Sequence, residues 1–287
     1  MPWLRLRVAV PEERADEIDG RLRGAGAVAV SILPGETAGD VLEPPPDRAP
    51  LWSSVRVEGL FPVTADLSSL TGLECQVDFV PHRDWSETWR EGIGPLRFGR
   101  LLVLPTLPEG NATVAKSGEV VLRLDPGLAF GTGTHVSTAL CLEWLAERSI
   151  RGRRVLDVGS GSGILAIAAC LLGGRAVAVD HDAQARRATL ANARRNGVDI
   201  EVVDDLEAVH DRHDVVLANL VADTIRTLAG PLTERLAPGG DLVLSGILAS
   251  QTRWVMAAFS DDPHCRFEPP VVRDGWALLH RCPNPNR

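Results

Sequence analysis

Residues 154–182 constrain the fold of this chain more than any other segment. Their sequence, RVLDVGSGSGILAIAACLLGGRAVAVDHD, is typical of an apolar strand, a loop with three glycines, a helix of small residues and a second strand. Such units build open parallel sheets, and ligands bind at the carboxyl edge of those sheets. The segment therefore predicts an α/β fold with a ligand pocket directly after these strands.

The spacing of the three glycines distinguishes between two kinds of nucleoside-binding loop. A dinucleotide fingerprint has the spacing G-x-G-x-x-G, which would require glycine at position 164, where this chain has Ile164. Gly159, Gly161 and Gly163 instead give G-x-G-x-G. This spacing resembles the S-adenosylmethionine loop of the class I methyltransferases.

Two carboxylates flank the glycine loop. Asp157 lies two positions before the first glycine, and its charge complements the ammonium of a methionine group, directly or through water. Asp180 ends the second strand, where a carboxylate can accept hydrogen bonds from both ribose hydroxyls. Glycines in tight turns are common, so these acids are what makes a nucleoside site the favoured interpretation.

A second motif extends the resemblance to a particular family. Residues 124–145, LDPGLAFGTGTHVSTALCLEWL, together with the glycine loop closely resemble the ribosomal protein L11 methyltransferase family. The resemblance covers nearly the whole chain, including MPW at the start, residues 84–100, NLVA at 219–222 and PGGDLVLSGIL at 238–248. Family members often have His-Pro-Thr-Thr at residues 135–138 and Asn-Ile-Leu-Ala at residues 219–222, and both departures conserve side-chain size.

The resemblance implies a class I methyltransferase fold, which is Rossmann-like with a mostly parallel seven-stranded sheet. It also implies a smaller ferredoxin-like α+β domain before it, and residues 1–82 do alternate in the order β-α-β-β-α-β. From residue 155 onward, strands and helices alternate. We therefore predict a ferredoxin-like substrate-recognition domain at 1–82, a linker helix region at 83–100 and an S-adenosylmethionine-dependent methyltransferase domain at 101–287.

Several predictions concern single elements. Residues 64–70 are predicted as a short helix with a threonine cap, and residues 224–236 as one helix. Residues 84–91 are predicted as a helix in which Trp85 and Trp89 pack between domains, as their spacing favours, or line a substrate site. Residues 264–272 and 276–281 are predicted as strands joined by a hairpin turn.

Asn219 is the candidate catalytic residue. An enzyme that methylates an amine must accept hydrogen bonds from its N–H groups, so that the nitrogen lone pair points at the methyl group. Positioning of this kind supplies much of the rate acceleration. Asn219 follows an apolar strand at residues 213–218, so its amide oxygen could accept one such hydrogen. Alternatively, Asn219 only caps the helix that begins near residue 222. In the family the equivalent asparagine borders S-adenosylmethionine, which implies a cofactor contact as well.

Residues 130–138 combine glycines and small polar side chains before a helix. Thr134 is the expected helix cap, which leaves Thr132, His135 and Thr138 to face a ligand. The resemblance implies that Thr138 contacts S-adenosylmethionine. His135 could act as a base near neutral pH, but a histidine in such a turn is more often a structural hydrogen-bond partner.

Composition excludes several classes of protein. The net charge of −8 argues against a protein that grips naked nucleic acid and suits a basic protein partner, although acidic surfaces often serve only solubility. Five cysteines without a C-x-x-C pair indicate neither a disulfide framework nor a zinc site. No apolar run approaches the ~20 residues that span a bilayer, and no signal peptide is evident, so we expect a soluble cytoplasmic protein.

These observations favour an enzyme that uses S-adenosylmethionine as its cofactor and no metal. The resemblance implies methyl transfer to lysine side chains of ribosomal protein L11, a basic partner, with its N-terminal amine as a further candidate. An alternative is a lysine methyltransferase of the same lineage that acts on a non-ribosomal protein, such as the electron-transfer flavoprotein β-subunit. A binding module without turnover is a third hypothesis, but it predicts damaged cofactor motifs, and here the loop and both aspartates are intact.

Overall fold

The computed structural model describes residues 3–35, 54–80, 94–105, 115–125, 131–259 and 265–283. Contacts within the chain divide it into two compact units, Met1–Trp85 and Ser86–Arg287. The predicted helix at residues 84–91, with Trp85 and Trp89, lies outside the described residues, so its packing stays a prediction. Within the described ranges, no helix combines the length and apolar character that crossing a membrane requires.

The amino-terminal unit contains an antiparallel sheet of four strands. In the order β2-β3-β1-β4, these are β2 (Ala29–Pro34), β3 (Ser54–Pro62), β1 (Trp3–Pro11) and β4 (Gln76–Val80). Helix α1 (Ala15–Gly24) covers one face. Alternate residues of β1 and β3 are buried against Ile18 and Leu22 of α1, because successive side chains of a strand point to opposite faces.

The helix predicted at residues 64–70 is wrong. This stretch contains a 3-10 turn at Ser68–Leu70 and no α-helix. The Oδ1 of Asp66 accepts the backbone N–H of Ser68 at 2.9 Å, and local bonds of this kind compete with helix formation. Gly72 then turns the chain with a φ of 82°. The described part of this unit therefore has a 3-10 turn where the second helix was predicted.

The second unit begins with a small sheet of three strands. These are β5 (Leu96–Phe98), β6 (Leu101–Pro105) and β7 (Val120–Leu124), with β5 antiparallel and β7 parallel to β6. Leu101, Val103, Leu122 and Leu124 are buried in the same core cluster as the following helices.

A larger, mostly parallel sheet forms the centre of this unit. Its order is β10-β9-β8-β11-β12-β15-β13, and β14 also pairs with β15. The strands are β8 (Arg154–Val158), β9 (Arg175–Val179), β10 (Glu201–Val203), β11 (His213–Asn219), β12 (Leu236–Leu248), β13 (Cys265–Phe267), β14 (Val271–Arg273) and β15 (Trp276–Pro283). Strands β8 to β12 are parallel, and β15 is antiparallel to β12.

The described residues give this sheet eight strands rather than the predicted seven. The single strand predicted at 264–272 is in fact two short strands, β13 and β14, that each pair with β15. Pro269 and Pro270 lie between them, and proline has no N–H to donate to a ladder. The predicted hairpin turn is present, since Asp274 and Gly275 both have positive φ, at 48° and 79°.

Helices flank both faces of the large sheet. They are α2 (Val136–Glu147), α3 (Ile164–Leu171), α4 (Ala183–Arg195), α5 (Ala222–Thr227), α6 (Ala229–Glu234) and α7 (Thr252–Met256). The single helix predicted at 224–236 is therefore wrong, because α5 ends at Thr227. Pro231 explains the break, since its ring would clash with the carbonyl of residue 227 in a continuous helix and is tolerated in the first turn of α6.

Two hydrophobic cores lie on the two faces of the sheet. Val155, Val215 and Leu217 belong to the cluster that contains α2 and α3. Leu156, Val216 and Ala218 belong to the cluster that contains α5 and α7. Neighbouring residues of β8 and β11 thus contribute to opposite cores, as expected for strands that are buried on both faces.

Candidate active site at the carboxyl edge of the sheet

Strand register brings the predicted site residues to one edge. Val158 at the end of β8 pairs with Val179 of β9 on one side and with Ala218 of β11 on the other. The residues that follow these three positions are Gly159, Asp180 and Asn219. Neighbouring parallel strands therefore end at the same edge of the sheet with the glycine loop, the second carboxylate and the candidate catalytic amide.

The glycine loop needs its glycines for backbone conformation. Gly159, Gly161 and Gly163 have φ values of 77°, 54° and 80°, a region that residues with a Cβ rarely adopt. The N–H groups of Gly159 and Ser160 both donate to the carbonyl of Val179, at 2.8 and 3.0 Å. These bonds tie the start of the loop to the neighbouring strand.

Two of the glycines also permit close packing within the protein. A Cβ at Gly159 would lie 2.3 Å from Cδ2 of Leu220, and one at Gly163 would lie 2.7 Å from Cγ2 of Thr189. At 159 and 163 the space beside the backbone is therefore taken by Leu220 and Thr189.

Helix α4 supplies two buried polar side chains that hold the loop, and neither was predicted. The hydroxyl of Thr189 donates to the carbonyl of Gly161 at 3.1 Å, and the amide of Asn192 donates to the carbonyl of Ser162 at 2.9 Å. Thr189 is fully buried and Asn192 nearly so. The sequence did carry a signal, because polar residues three positions apart lie on one helix face, here the face toward the loop.

Asp180 supports the middle of the same loop. Its Oδ2 accepts the N–H of Gly161 at 2.8 Å, and its Oδ1 accepts the N–H of Asp182 at 3.0 Å. The residue is 9% exposed. An ionised carboxylate has about four lone-pair sites, so each oxygen can still accept a further hydrogen bond.

Asp157 is a buried acid with an incomplete set of hydrogen bonds. Its Oδ2 accepts the N–H of Ala166 at 3.1 Å, whereas its Oδ1 is buried and has no hydrogen-bond partner among the described residues. Burial raises the pKa of this carboxyl group to about 7, and the charge of Asp180 contributes in the same direction. A cation or a water beside Oδ1 would satisfy this group.

Asn219 is held in one orientation by Thr138 of helix α2. The Nδ2 of Asn219 and the Oγ1 of Thr138 are 3.1 Å apart, and Thr138 is fully buried. The Oδ1 of Asn219 is also buried and has no hydrogen-bond partner in the described part of the chain. The capping alternative is wrong, because Val221 is the N-cap of α5 and that cap has no side-chain hydrogen bond.

His135 has a structural hydrogen bond at the start of α2. Its Nδ1 accepts the N–H of Ser137 at 3.3 Å and lies 2.7 Å from the Ser137 hydroxyl, which makes His135 the cap in place of the predicted Thr134. Thr134 instead shares a hydrogen bond with Thr132. Partial burial lowers the pKa of His135, and its ring meets the ring of Trp276 edge to face at 4.5 Å.

The fold and this edge define a class I S-adenosylmethionine-dependent methyltransferase. A mostly parallel sheet carries a glycine loop after strand β8, and the antiparallel strand β15 lies between β12 and β13. The two buried acceptor oxygens, on Asp157 and Asn219, fit a cofactor that carries an ammonium group and an enzyme that must bind N–H donors.

The chain belongs to the ribosomal protein L11 methyltransferase (PrmA) family, whose family model matches residues 2–282. It is 45% identical to the ribosomal protein L11 methyltransferase of Methylococcus capsulatus, with 96% of this chain and 98% of that protein covered. The enzyme of the same name from Pseudomonas putida is 43% identical over 97% of this chain and 98% of its own. The predicted family resemblance is therefore confirmed.

A solved structure supports the same assignment. The ribosomal protein L11 methylase of Lactobacillus delbrueckii subsp. bulgaricus has a TM-score of 0.60 and 28% sequence identity to this chain. The match covers 67% of this chain and 99% of that one. The predicted methyltransferase fold and cofactor are confirmed, and the individual contacts to the cofactor stay predictions.

Proposed function

We propose that this enzyme transfers methyl groups from S-adenosylmethionine to lysine side-chain amines of ribosomal protein L11, with the N-terminal amine of that protein as a further acceptor. The proposal depends most on how the side-chain amide of Asn219 is hydrogen-bonded. Its nitrogen is bonded to Thr138, while its buried oxygen has no partner among the described residues. An acceptor held in this way at the carboxyl edge suits an incoming N–H group.

The residues proposed to hold the cofactor are those at the carboxyl edge. They are Thr138, Asp157, Gly159, Gly161, Gly163, Asp180 and Asn219. When bound, S-adenosylmethionine supplies a methyl group on a positively charged sulfur. Oδ1 of Asp157 would face the ammonium, and the remaining lone pairs of Asp180 would accept ribose hydroxyls.

The catalytic contribution of the chain is to orient the acceptor amine. Oδ1 of Asn219 would accept a hydrogen bond from one N–H of the amine. This bond would turn the nitrogen lone pair away from Asn219 and toward the methyl group. Because the hydrogen bond to Thr138 orients the amide, this acceptor is in place before the substrate arrives. Well-held reactants can gain roughly 7 to 11 kcal/mol relative to free encounter, so no nucleophilic side chain of the enzyme is needed.

The choice of substrate rests on the relatives and on charge. The relatives from Methylococcus capsulatus and Pseudomonas putida are both named for ribosomal protein L11, which does not favour the electron-transfer flavoprotein alternative. A net charge of −8 suits a basic partner, because opposite charge speeds association. We propose that the enzyme acts in the cytoplasm, where ribosomal proteins are made and assembled.

Intact-mass measurement tests this function. We would incubate the purified chain with S-adenosylmethionine and either ribosomal protein L11 or the flavoprotein β-subunit, and count methyl groups on each. We expect methyl groups on the ribosomal protein, and Asn219→Ala should slow their addition even at saturating cofactor. Methylation of the flavoprotein subunit alone would contradict the proposed substrate.

A further inference from the structure

A cluster of three metal-binding residue types lies on the last strands of the large sheet, away from the glycine loop. His280 and Cys282 are two residues apart on β15, so they share one face of the strand. Glu268 follows β13, and its N–H donates to the carbonyl of His280 at 2.8 Å, which continues the ladder between these strands. Glu268, His280 and Cys282 are therefore brought together by strand pairing.

The donor atoms of the cluster are close to one another. Nδ1 of His280 lies 2.8 Å from Oε2 of Glu268, and Sγ of Cys282 lies 4.0 Å from Oε1 of Glu268. One ligand atom from each of the three residues lies within 4.8 Å of the others. Ligand atoms about 2.0 to 2.3 Å from a shared metal ion fall within such separations.

The other nitrogen of His280 is already oriented by a carboxylate. Its Nε2 lies 2.8 Å from Oδ1 of Asp241, and Asp241 is itself bonded to Arg153 at 2.7 Å. In metal sites, a ligating histidine almost always donates its second N–H to such a partner, which fixes the ring. His280 is 7% exposed, so the ring is also held by its surroundings.

We propose that Glu268, His280 and Cys282 form a binding site for Zn²⁺. A thiolate, an imidazole nitrogen and a carboxylate oxygen are the donors that zinc uses. Water would take the fourth position, because the Glu268 side chain is 40% exposed.

The position of the site assigns it a structural role. His280 pairs with Val243 of β12, whereas Asn219 at the catalytic edge is level with Ser245, two residues further along β12. A metal held by Glu268 and Cys282 would join the end of β13 to β15. It would therefore stabilise the carboxyl-terminal strands rather than take part in methyl transfer.

Zinc titration of the full chain tests the site. We would remove metal by dialysis against a chelator, titrate with ZnCl₂ in a calorimeter, and record the absorption of the Co²⁺ form. Cys282→Ser and Glu268→Gln remove one ligand each without changing the buried His280. Cys75→Ser is the matched control, since it is a free cysteine in the amino-terminal unit.

We expect one zinc ion per chain and a rise in the unfolding temperature when zinc is added. Cys282→Ser and Glu268→Gln should each weaken binding about ten-fold or more, since even removal of an outer partner costs 10- to 100-fold. The thiolate-to-cobalt absorption band should be present in the parent chain and Cys75→Ser, and absent in Cys282→Ser. Absence of saturable zinc binding, or an unchanged dissociation constant in Cys282→Ser, would overturn the proposal.

Discussion

The side-chain amide of Asn219 is bonded to the hydroxyl of Thr138, at 3.1 Å and across 81 positions of sequence. The bond joins the end of β11 to the first turn of α2. It directs the amide nitrogen toward α2, so the buried oxygen is the atom left to accept a hydrogen bond.

Replacing Thr138 tests whether this bond positions the catalytic amide. Thr138→Val keeps the side-chain volume and removes the hydroxyl, so the amide loses its fixed orientation. We expect kcat to fall roughly 10- to 100-fold with a smaller change in KM for the protein substrate, because misplacement acts on the reacting geometry. Thr138→Ser keeps the hydroxyl and should retain most of the activity. Equal losses in the two variants would contradict a positioning role.

Asp180 should support both the loop and the cofactor. Asp180→Ala leaves the N–H of Gly161 without its acceptor, and each lost hydrogen bond to a charged group is worth ~1.5 to 3 kcal/mol. We expect weaker cofactor binding in calorimetry together with lower stability to urea. Asp182→Ala is the control, because Asp182 caps α4 by accepting the N–H of Gln184. It should cost about 1 kcal/mol of stability and leave the dissociation constant unchanged.

Asp157 should destabilise the cofactor-free protein at neutral pH. Its pKa in the folded chain is about 7, against an ordinary value of 3.8. The folded state therefore holds the proton more strongly, and stability falls as the pH rises between these two values. Asp157→Asn removes this dependence. We expect its stability gain over the parent to be about 2 kcal/mol larger at pH 8 than at pH 5.5, measured by urea unfolding.

The exposed acid Asp223 provides the control for this measurement. Asp223→Asn makes the same substitution at an exposed position, and the gain in Asp157→Asn is compared with it at both pH values. A gain in Asp157→Asn that does not change with pH would mean that the Asp157 carboxyl group is already ionised throughout this range.

The same acid should make cofactor binding depend on pH. A bound ammonium beside Asp157 favours the ionised carboxylate, so binding below a pKa of about 7 requires loss of a proton. We expect the dissociation constant of S-adenosylmethionine to be about five-fold larger at pH 6 than at pH 7. Asp157→Asn should bind more weakly at pH 7 and lose this dependence. A parent-like pH dependence in that variant would remove Asp157 from the ammonium site.

Gly163 and Gly197 form a matched pair for testing the loop. Both have positive φ, at 80° and 65°, but a Cβ at Gly197 meets nothing within 4 Å, whereas one at Gly163 meets Thr189 at 2.7 Å. Gly197→Ala should cost about 1 kcal/mol of unfolding free energy from backbone strain alone. Gly163→Ala should cost about 1 to 3 kcal/mol more from the clash. Equal losses of unfolding free energy in the two variants would show that α4 shifts to make room for the added Cβ at residue 163.

Local signals explain what could be predicted from sequence. The alternation of strands and helices, the glycine loop and the Asp274-Gly275 turn all depend on residues close together in the chain. The predictions at 224–236 and 264–272 fail because Pro231, Pro269 and Pro270 interrupt the apolar runs in these segments. These prolines were visible in the sequence, and each one breaks its element for a known reason.

Contacts between distant segments explain what the sequence could not provide. Thr189 and Asn192 hold the glycine loop from 28 and 30 positions away, and only the packing of α4 shows which carbonyls they reach. The buried oxygens of Asp157 and Asn219 without partners are also consequences of packing. The shift of the helix cap from Thr134 to His135 is smaller, since neighbouring polar residues can both accept a backbone N–H.

Successive residues of β11 pack alternately into the two cores, and this alternation limits changes in the length of the strand. Because Val215 and Val216 pack into opposite cores, a one-residue insertion or deletion inside β11 would exchange every later side chain between the two faces. Asn219 would then leave Thr138. Evolutionary insertions and deletions near the active site are therefore expected in the connections that precede residue 213, while the strand itself keeps its length.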